Sequence, residues 1–246
     1  MMEILTSEWT KIRSVRSTVW TLASTALLML AIGVLLSIAV AGSTDGPVNG
    51  AEATRVSMAG LTFASLSIAT LGVLVVSSEY RTGAIRTSLM AVPRRLRLLS
   101  GKIVVFTAVA LVVCMASSFA TFLISQAILD GPALGEPGTL RTVAGTGLYL
   151  TASGLFGLAL GALVRHTPGA IVAAIALILV LPQLTNVLPG EWGAAVHDHF
   201  TSNAGLQIAM PVESNPLGPW SGFGVYLAWI AVTLVAAAVL MRRRDA

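Results

Sequence analysis

The sequence predicts an all-α integral membrane protein with six transmembrane helices, and three observations carry that prediction. Long apolar runs divide the chain, charge is scarce, and the few Lys and Arg residues gather between alternate runs. Of 246 residues, 55% are hydrophobic and 11% are charged, where an average soluble domain carries about 25% charged residues. Such a chain has too little polar surface to stay dispersed in water, so the bilayer is its natural solvent. The formal net charge of +4 would suit nucleic acid. The cations instead sit in short clusters between apolar runs, as positive-inside sorting requires, and no nucleic acid is expected as a partner.

A spanning helix needs about 20 mostly apolar residues. Six stretches qualify: Trp20 to Ala41, Met58 to Val76, Ile103 to Leu129, Thr142 to Val164, Pro168 to Leu188 and Gly222 to Met241. The second is rich in Ser and Thr but carries no charge between Met58 and Ser78. The N-terminus does not read as a cleavable signal peptide, because charged and polar residues run from Glu3 to Arg16 before the first apolar run. The single cysteine, Cys114, lies inside an apolar run and forms no internal disulfide.

With six spans, the termini and the second and fourth connections share one side. That side holds thirteen Lys and Arg residues, from Lys11, Arg13 and Arg16 through the cluster at 81–102 to Arg165 and Arg242–Arg244. The other side holds two, Arg55 and Arg141. The asymmetry places both termini in the cytoplasm of a cell whose plasma membrane the chain crosses. The outer connections at Gly42 to Ser57 and Asp130 to Arg141 are Gly/Pro-rich turns. The last one, Pro189 to Ser221, is long and carries Trp192, Val196, Phe200, Leu206 and Ile208, enough for one or two short interfacial helices.

Several chemistries are absent from the pattern. There is no G-x-x-x-x-G-K-[ST], since Gly101-Lys102 is followed by Ile103. No His, Asp or Glu lies deep in a span, which argues against haem or quinone chemistry, ion-coupled pumping and an intramembrane enzyme that activates Ser or Thr. No catalytic residue is expected, and any driving energy comes from a partner.

The second connection on the basic side, Glu79 to Lys102, is the most informative segment. It opens with a carboxylate where the second span leaves the membrane. Gly83 permits a sharp change of direction. Ile85, Leu89 and Met90 form one face of a short helix with Arg86 on another, Pro93 stops it, and Arg94, Arg95 and Arg97 return to the headgroup zone. A short helix braced against the membrane face suits a force-transmitting contact; a basic loop that only sets topology is the plainer reading.

Glu79, Gly83, Arg86, Leu89, Pro93, Arg97 and Gly101-Lys102 match E-x-x-x-G-[TA]-[IL]-[RK] … L-x-x-P … R … G-K. In this the chain resembles the permease subunits of type-2 ABC exporters. The resemblance extends over the whole chain, 1–246, as one transmembrane domain, and its opening, Glu8 to Trp20, looks like the start of many actinobacterial members. It implies a coupling helix in the 79–102 loop docked in a cleft of a separate ATP-binding-cassette subunit. It also implies an elbow helix over 1–19 that brings Trp9, Lys11 and Arg13 beside that contact, and a structured extracellular segment over 189–221. ATP and Mg would be bound by the partner, and none by this chain. A second permease, identical or related, would complete the pathway, with the second and fifth helices lining it.

The residues can also be read without the family. Leu5, Trp9, Ile12 and Val19 share one side of a helix at about 100° per residue, an interfacial amphipathic helix with Trp at headgroup level and Arg16 snorkelling. Gly157 and Gly161 form a G-x-x-x-G that lets two backbones approach, more readily within the chain than between copies. Thr62, Ser65 and Thr70 in the second span, and Gln183 and Asn186 near a Pro182 kink in the fifth, are candidate path residues. They mark a mostly apolar path suited to a hydrophobic or amphipathic cargo such as a drug, lipid or peptide. His197-Asp198-His199 has the alternate spacing of a loop or strand, no further ligand nearby, and is expected to be a solvated loop rather than a metal site. A membrane sensor or immunity protein would keep the same topology without needing an ATPase.

Overall fold

All six apolar runs fold as membrane-length helices. A computed structural model of the chain describes residues 2–14, 16–43, 48–83, 95–212 and 215–243. No strand occurs among them. The helices are α1 (Met2–Ser14), α2 (Arg16–Ser43), α3 (Gly50–Ser57), α4 (Leu61–Thr82), α5 (Arg95–Leu129) and α6 (Thr139–Val164). A broken helix follows, made of α7 (Thr167–Ile175), a π-helical turn (Ala176–Val180), α8 (Leu181–Leu184) and a 3-10 turn (Thr185–Val187). Then come α9 (Gly190–His199), α10 (Thr201–Leu206) and α11 (Pro219–Arg243). Because six spans return the chain to its starting side, one end of the bundle carries both termini. We call it the terminal face and the other end the distal face.

The boundaries differ from the sequence expectation in informative places. The elbow expected over 1–19 is a helix only to Ser14, and Val19 belongs to α2, which begins at Arg16. Three polar residues, Arg16, Ser17 and Thr18, continue the helical hydrogen bonding without adding to the apolar pattern, so hydropathy alone starts the span late. The second span has a short helix before it. Asn49 caps α3 by accepting from the Ala51 N–H at 3.1 Å, and the chain turns at 58–60 before α4. At its other end α4 runs on to Thr82, which puts Glu79 on its last turn. The long outer segment holds two short helices, α9 and α10, and His197-Asp198-His199 is helical rather than a loop.

α6 is the axle of the bundle. Its apolar stretch is 78% buried, against 17% for α11 at the periphery. Glycine makes this possible. Gly157 and Gly161 lie on the backbone of α4, where a Cβ at Gly157 would overlap the Ala69 carbonyl and one at Gly161 would sit 2.7 Å from the Val73 carbonyl. Gly72 of α4 answers from the other side, against the Gly154 carbonyl. The G-x-x-x-G is therefore an intrachain seam. Around it, Tyr226 of α11 stacks on Tyr149 at 5.7 Å and donates from its hydroxyl to Ser153 Oγ at 3.2 Å.

The broken fifth span has a specific chemical cause. Pro182 has no N–H to give. In α-helical pairing that N–H would go to the Ile178 carbonyl, and in π-helical pairing to the Leu177 carbonyl. Whichever pairing holds, the carbonyl is met from α10: Ser202 Oγ donates to Ile178 O at 2.8 Å, and Thr201 Oγ1 donates to Leu177 O at 2.5 Å. Asn203 Nδ2 donates to the Pro182 carbonyl at 3.3 Å. The short outer helix thus re-satisfies backbone that the membrane could not.

Candidate functional site

Four charges meet at the terminal face. α1 places Glu8 and Lys11 one turn apart, the last turn of α4 brings Glu79, and the second turn of α5 brings Lys102. Lys102 Nζ lies 2.8 Å from Glu8 Oε2 and 2.6 Å from Glu79 Oε1. Lys11 Nζ lies 2.8 Å from Glu8 Oε1 and 3.0 Å from the same Glu79 Oε1. Two ammonium groups and two carboxylates close a neutral ring. The Lys102 and Glu8 side chains are 3% and 4% exposed, Glu79 12%, and Lys11 40%. Charges so far from water persist only when paired. Burial works against the charge on Lys11, but the hydrogen bonds and negative charge of Glu8 and Glu79 outweigh it and raise its pKa above the ordinary 10.5. Glu79 Oε2 is buried and has no partner among the described residues.

The ring stands at the two ends of one segment. Four residues after Glu79, Gly83 ends α4 with φ +73 in the left-handed region, its N–H on the Tyr80 carbonyl. A Cβ there meets nothing within 4 Å, so the glycine is needed for conformation rather than for space. The chain next enters the described structure at Arg95, on the helix that carries Lys102. Arg86, Leu89 and Pro93, expected on a coupling helix, lie outside the described residues. Nearby, the Arg165 guanidinium sits over the Tyr80 ring at 5.1 Å, and Thr167 Oγ1 donates to Ser77 Oγ at 3.0 Å. The end of α4 is thereby tied to the end of α6 and to the start of α7.

The other expected site residues are dispersed. Trp9, Arg13 and Arg97 are exposed on the terminal face. Lys11 is committed to the ring rather than free for a partner. In α4, Thr62 is exposed, Thr70 half-buried with its hydroxyl on the Leu66 carbonyl, and Ser65 is buried with its hydroxyl on the Thr62 carbonyl. Gln183 and Asn186 are exposed on the broken span. His197 is held by its own surroundings: its Nδ1 lies 2.9 Å from both Thr185 Oγ1 and Asn203 Nδ2. Among the described residues no three His, Cys, Asp or Glu side chains gather in a metal-holding group.

Sequence reasoning missed Glu8, the inward member of α1. A signal was available: Glu8 lies three residues before Lys11, the spacing of an ion pair along one helix face. Nothing in the spacing pointed to Lys102 as a second cation.

Six membrane-length helices with a buried charge ring where the second and third spans meet define a multi-pass membrane protein. A family model described as ABC-2 family transporter protein matches residues 4–189, and the chain belongs to that family. It is accordingly a permease component of an ABC transporter and works with an ATP-binding subunit. The match runs from α1 through the broken fifth span. No curated protein matches the chain in sequence.

Proposed function

We propose that the chain is the membrane-spanning subunit of an exporter. It moves a hydrophobic or amphipathic cargo, a drug, lipid or peptide, out of the cytoplasm on energy from a separate ATP-binding subunit. ATP and Mg bind to that subunit and none to this chain, which carries no catalytic residue. The observation that carries the reading is the charge ring. It clamps α1, α4 and α5 together at both ends of the segment between Gly83 and Arg95, so a push on that segment is delivered to three helices as one body. The segment is read as the coupling helix, with Arg86, Leu89 and Pro93 in the docking contact and Trp9, Arg13 and Arg97 beside it.

The terminal face is read as cytoplasmic because thirteen of the fifteen Lys and Arg residues fall on its side. Two permeases, identical or related, are read as facing each other across α4 and the broken span. Thr62, Gln183 and Asn186 support this, since uncovered polar side chains on membrane helices are costly unless a partner or a path accepts them. Thr70 lies further along the same helix, whereas Ser65 faces the bundle interior.

The test is affinity purification of the tagged chain in mild detergent, with ATP hydrolysis assayed on the eluate. The expected result is a stoichiometric ATP-binding subunit with ATPase activity, reduced at least about tenfold in yield by Arg86→Glu, with the thermal stability of the spans retained. A tenfold loss corresponds to about 1.4 kcal/mol of binding. A chain that purifies alone and hydrolyses nothing overturns the reading in favour of a sensor or immunity protein.

A further inference from the structure

The distal face holds an open cavity of about 790 Å³, lined by α3, the 132–142 segment, residues within 197–212, and Asn215. Its volume is that of a small-molecule site. The distribution of cations makes it unusual. This side of the protein has only two, Arg55 and Arg141, and both line this one cavity. Neither guanidinium forms an ion pair or hydrogen bond among the described residues.

Among the described residues two carboxylates also line the cavity, and neither forms an ion pair with an arginine. Glu136 Oε1 accepts the Ala133 N–H at 3.2 Å within its own turn. Asp198 Oδ1 accepts from Asn215 Nδ2 at 3.1 Å. A third donor is built into the wall. Gln207 is only 4% exposed, and its Oε1 accepts the Val212 N–H at 3.0 Å. That bond fixes the orientation of the amide and leaves its NH2 without a partner among the described residues. Met210 adds apolar surface to the same wall.

We propose that this cavity binds a phosphate group, with Arg55 and Arg141 as the clamp and the Gln207 amide as an oriented third donor. Planar guanidinium groups match phosphate oxygens in pairs, and unpaired arginines offer that geometry without first breaking a bond. The apolar wall suits a phosphate carried on a lipid, and a free phosphate is the other source of the same chemistry. The site lies at the opposite end of the spans from the charge ring and stands independently of the transport reading.

The experiment uses the full-length chain, delipidated in detergent, and three probes: dioctanoyl phosphatidylglycerol, dioctanoylglycerol and inorganic phosphate. Binding is read directly by calorimetry, without an ATPase. Phosphatidylglycerol is expected to bind and dioctanoylglycerol to fail. Arg55→Gln and Arg141→Gln should each weaken binding about tenfold, the scale of one charged hydrogen bond, and Gln207→Leu should weaken it less. Arg55→Lys and Arg141→Lys, which keep the charge and the fold, should recover part of it. Binding of inorganic phosphate with the same arginine dependence, and no lipid binding, would keep the site and assign the free anion. Equal binding of dioctanoylglycerol, no binding of either phosphate probe, or affinity unchanged in correctly folded arginine variants would overturn the proposal.

Discussion

Lys102 and Lys11 serve the same two carboxylates but differ in what their loss exposes. Lys102 is buried, so replacing it with Met strands Glu8 and most of Glu79 away from water. The expected cost is about 3–5 kcal/mol, the range for breaking a buried pair. Lys11 is two-fifths exposed, and its replacement lets water reach the ring, so Lys11→Met should cost about 1 kcal/mol or less. Thermal unfolding of the two variants in one detergent checks the order; equal losses would mean that the ring does not act through burial. The pH dependence follows with a definite sign. The folded pKa of Lys11 is raised above its ordinary 10.5. Its contribution is therefore complete below 10.5 and disappears as pH rises through the raised folded value. Across neutral pH it should be flat.

Elements succeed here where their broken backbone is met by side chains. In the fifth span Pro182 removes one N–H, and Thr201 and Ser202 answer for it from another helix. The predicted consequence is a coupling between distant residues. Ser202→Ala should destabilise by about 1–3 kcal/mol, because a buried carbonyl is left unmet. In a Pro182→Ala background the restored N–H can take the Ile178 carbonyl, and the same Ser202→Ala change should cost measurably less. A double-mutant cycle with a coupling below about 0.5 kcal/mol would show that the hydroxyl and the proline act separately. The proline was legible in the sequence as a kink. Its repair was not, because a Thr-Ser pair in a polar outer segment carries no mark of the carbonyls twenty-four residues earlier that it serves. The His197 stretch was misjudged for a related reason: alternate spacing of ionisable residues is compatible with a loop, and only the packing of α9 on the 3-10 turn makes it helical.

At the scale of the whole molecule, the number and order of spans were legible because bilayer thickness dictates a minimum apolar length and because cations are sorted by side. Which helix sits at the centre was legible only in the glycines of α6, and their partner was not. Gly72 in the second span gave no periodic signal, although it closes the same seam. Gly157→Ala should cost about 1–3 kcal/mol by overpacking against the Ala69 carbonyl. Gly224→Ala on the peripheral α11 has open space around its Cβ position and should be neutral or slightly stabilising as a better helix former. Unfolding temperatures that fall equally in the two variants would remove the special place given to the α4–α6 seam. The charge ring was half legible: the sequence placed Lys11 and Glu79 at one face as parts of an external contact, and tertiary packing turned them toward each other.

The ring also imposes an order on synthesis. Its members lie at 8, 11, 79 and 102, so the two carboxylates and the more exposed lysine are made first. Until Lys102 has left the ribosome, Glu8 and Glu79 must share a single cation. The contact between the first short helix and the second membrane helix therefore lacks its buried cation until the third membrane helix is made, and the ring closes only then.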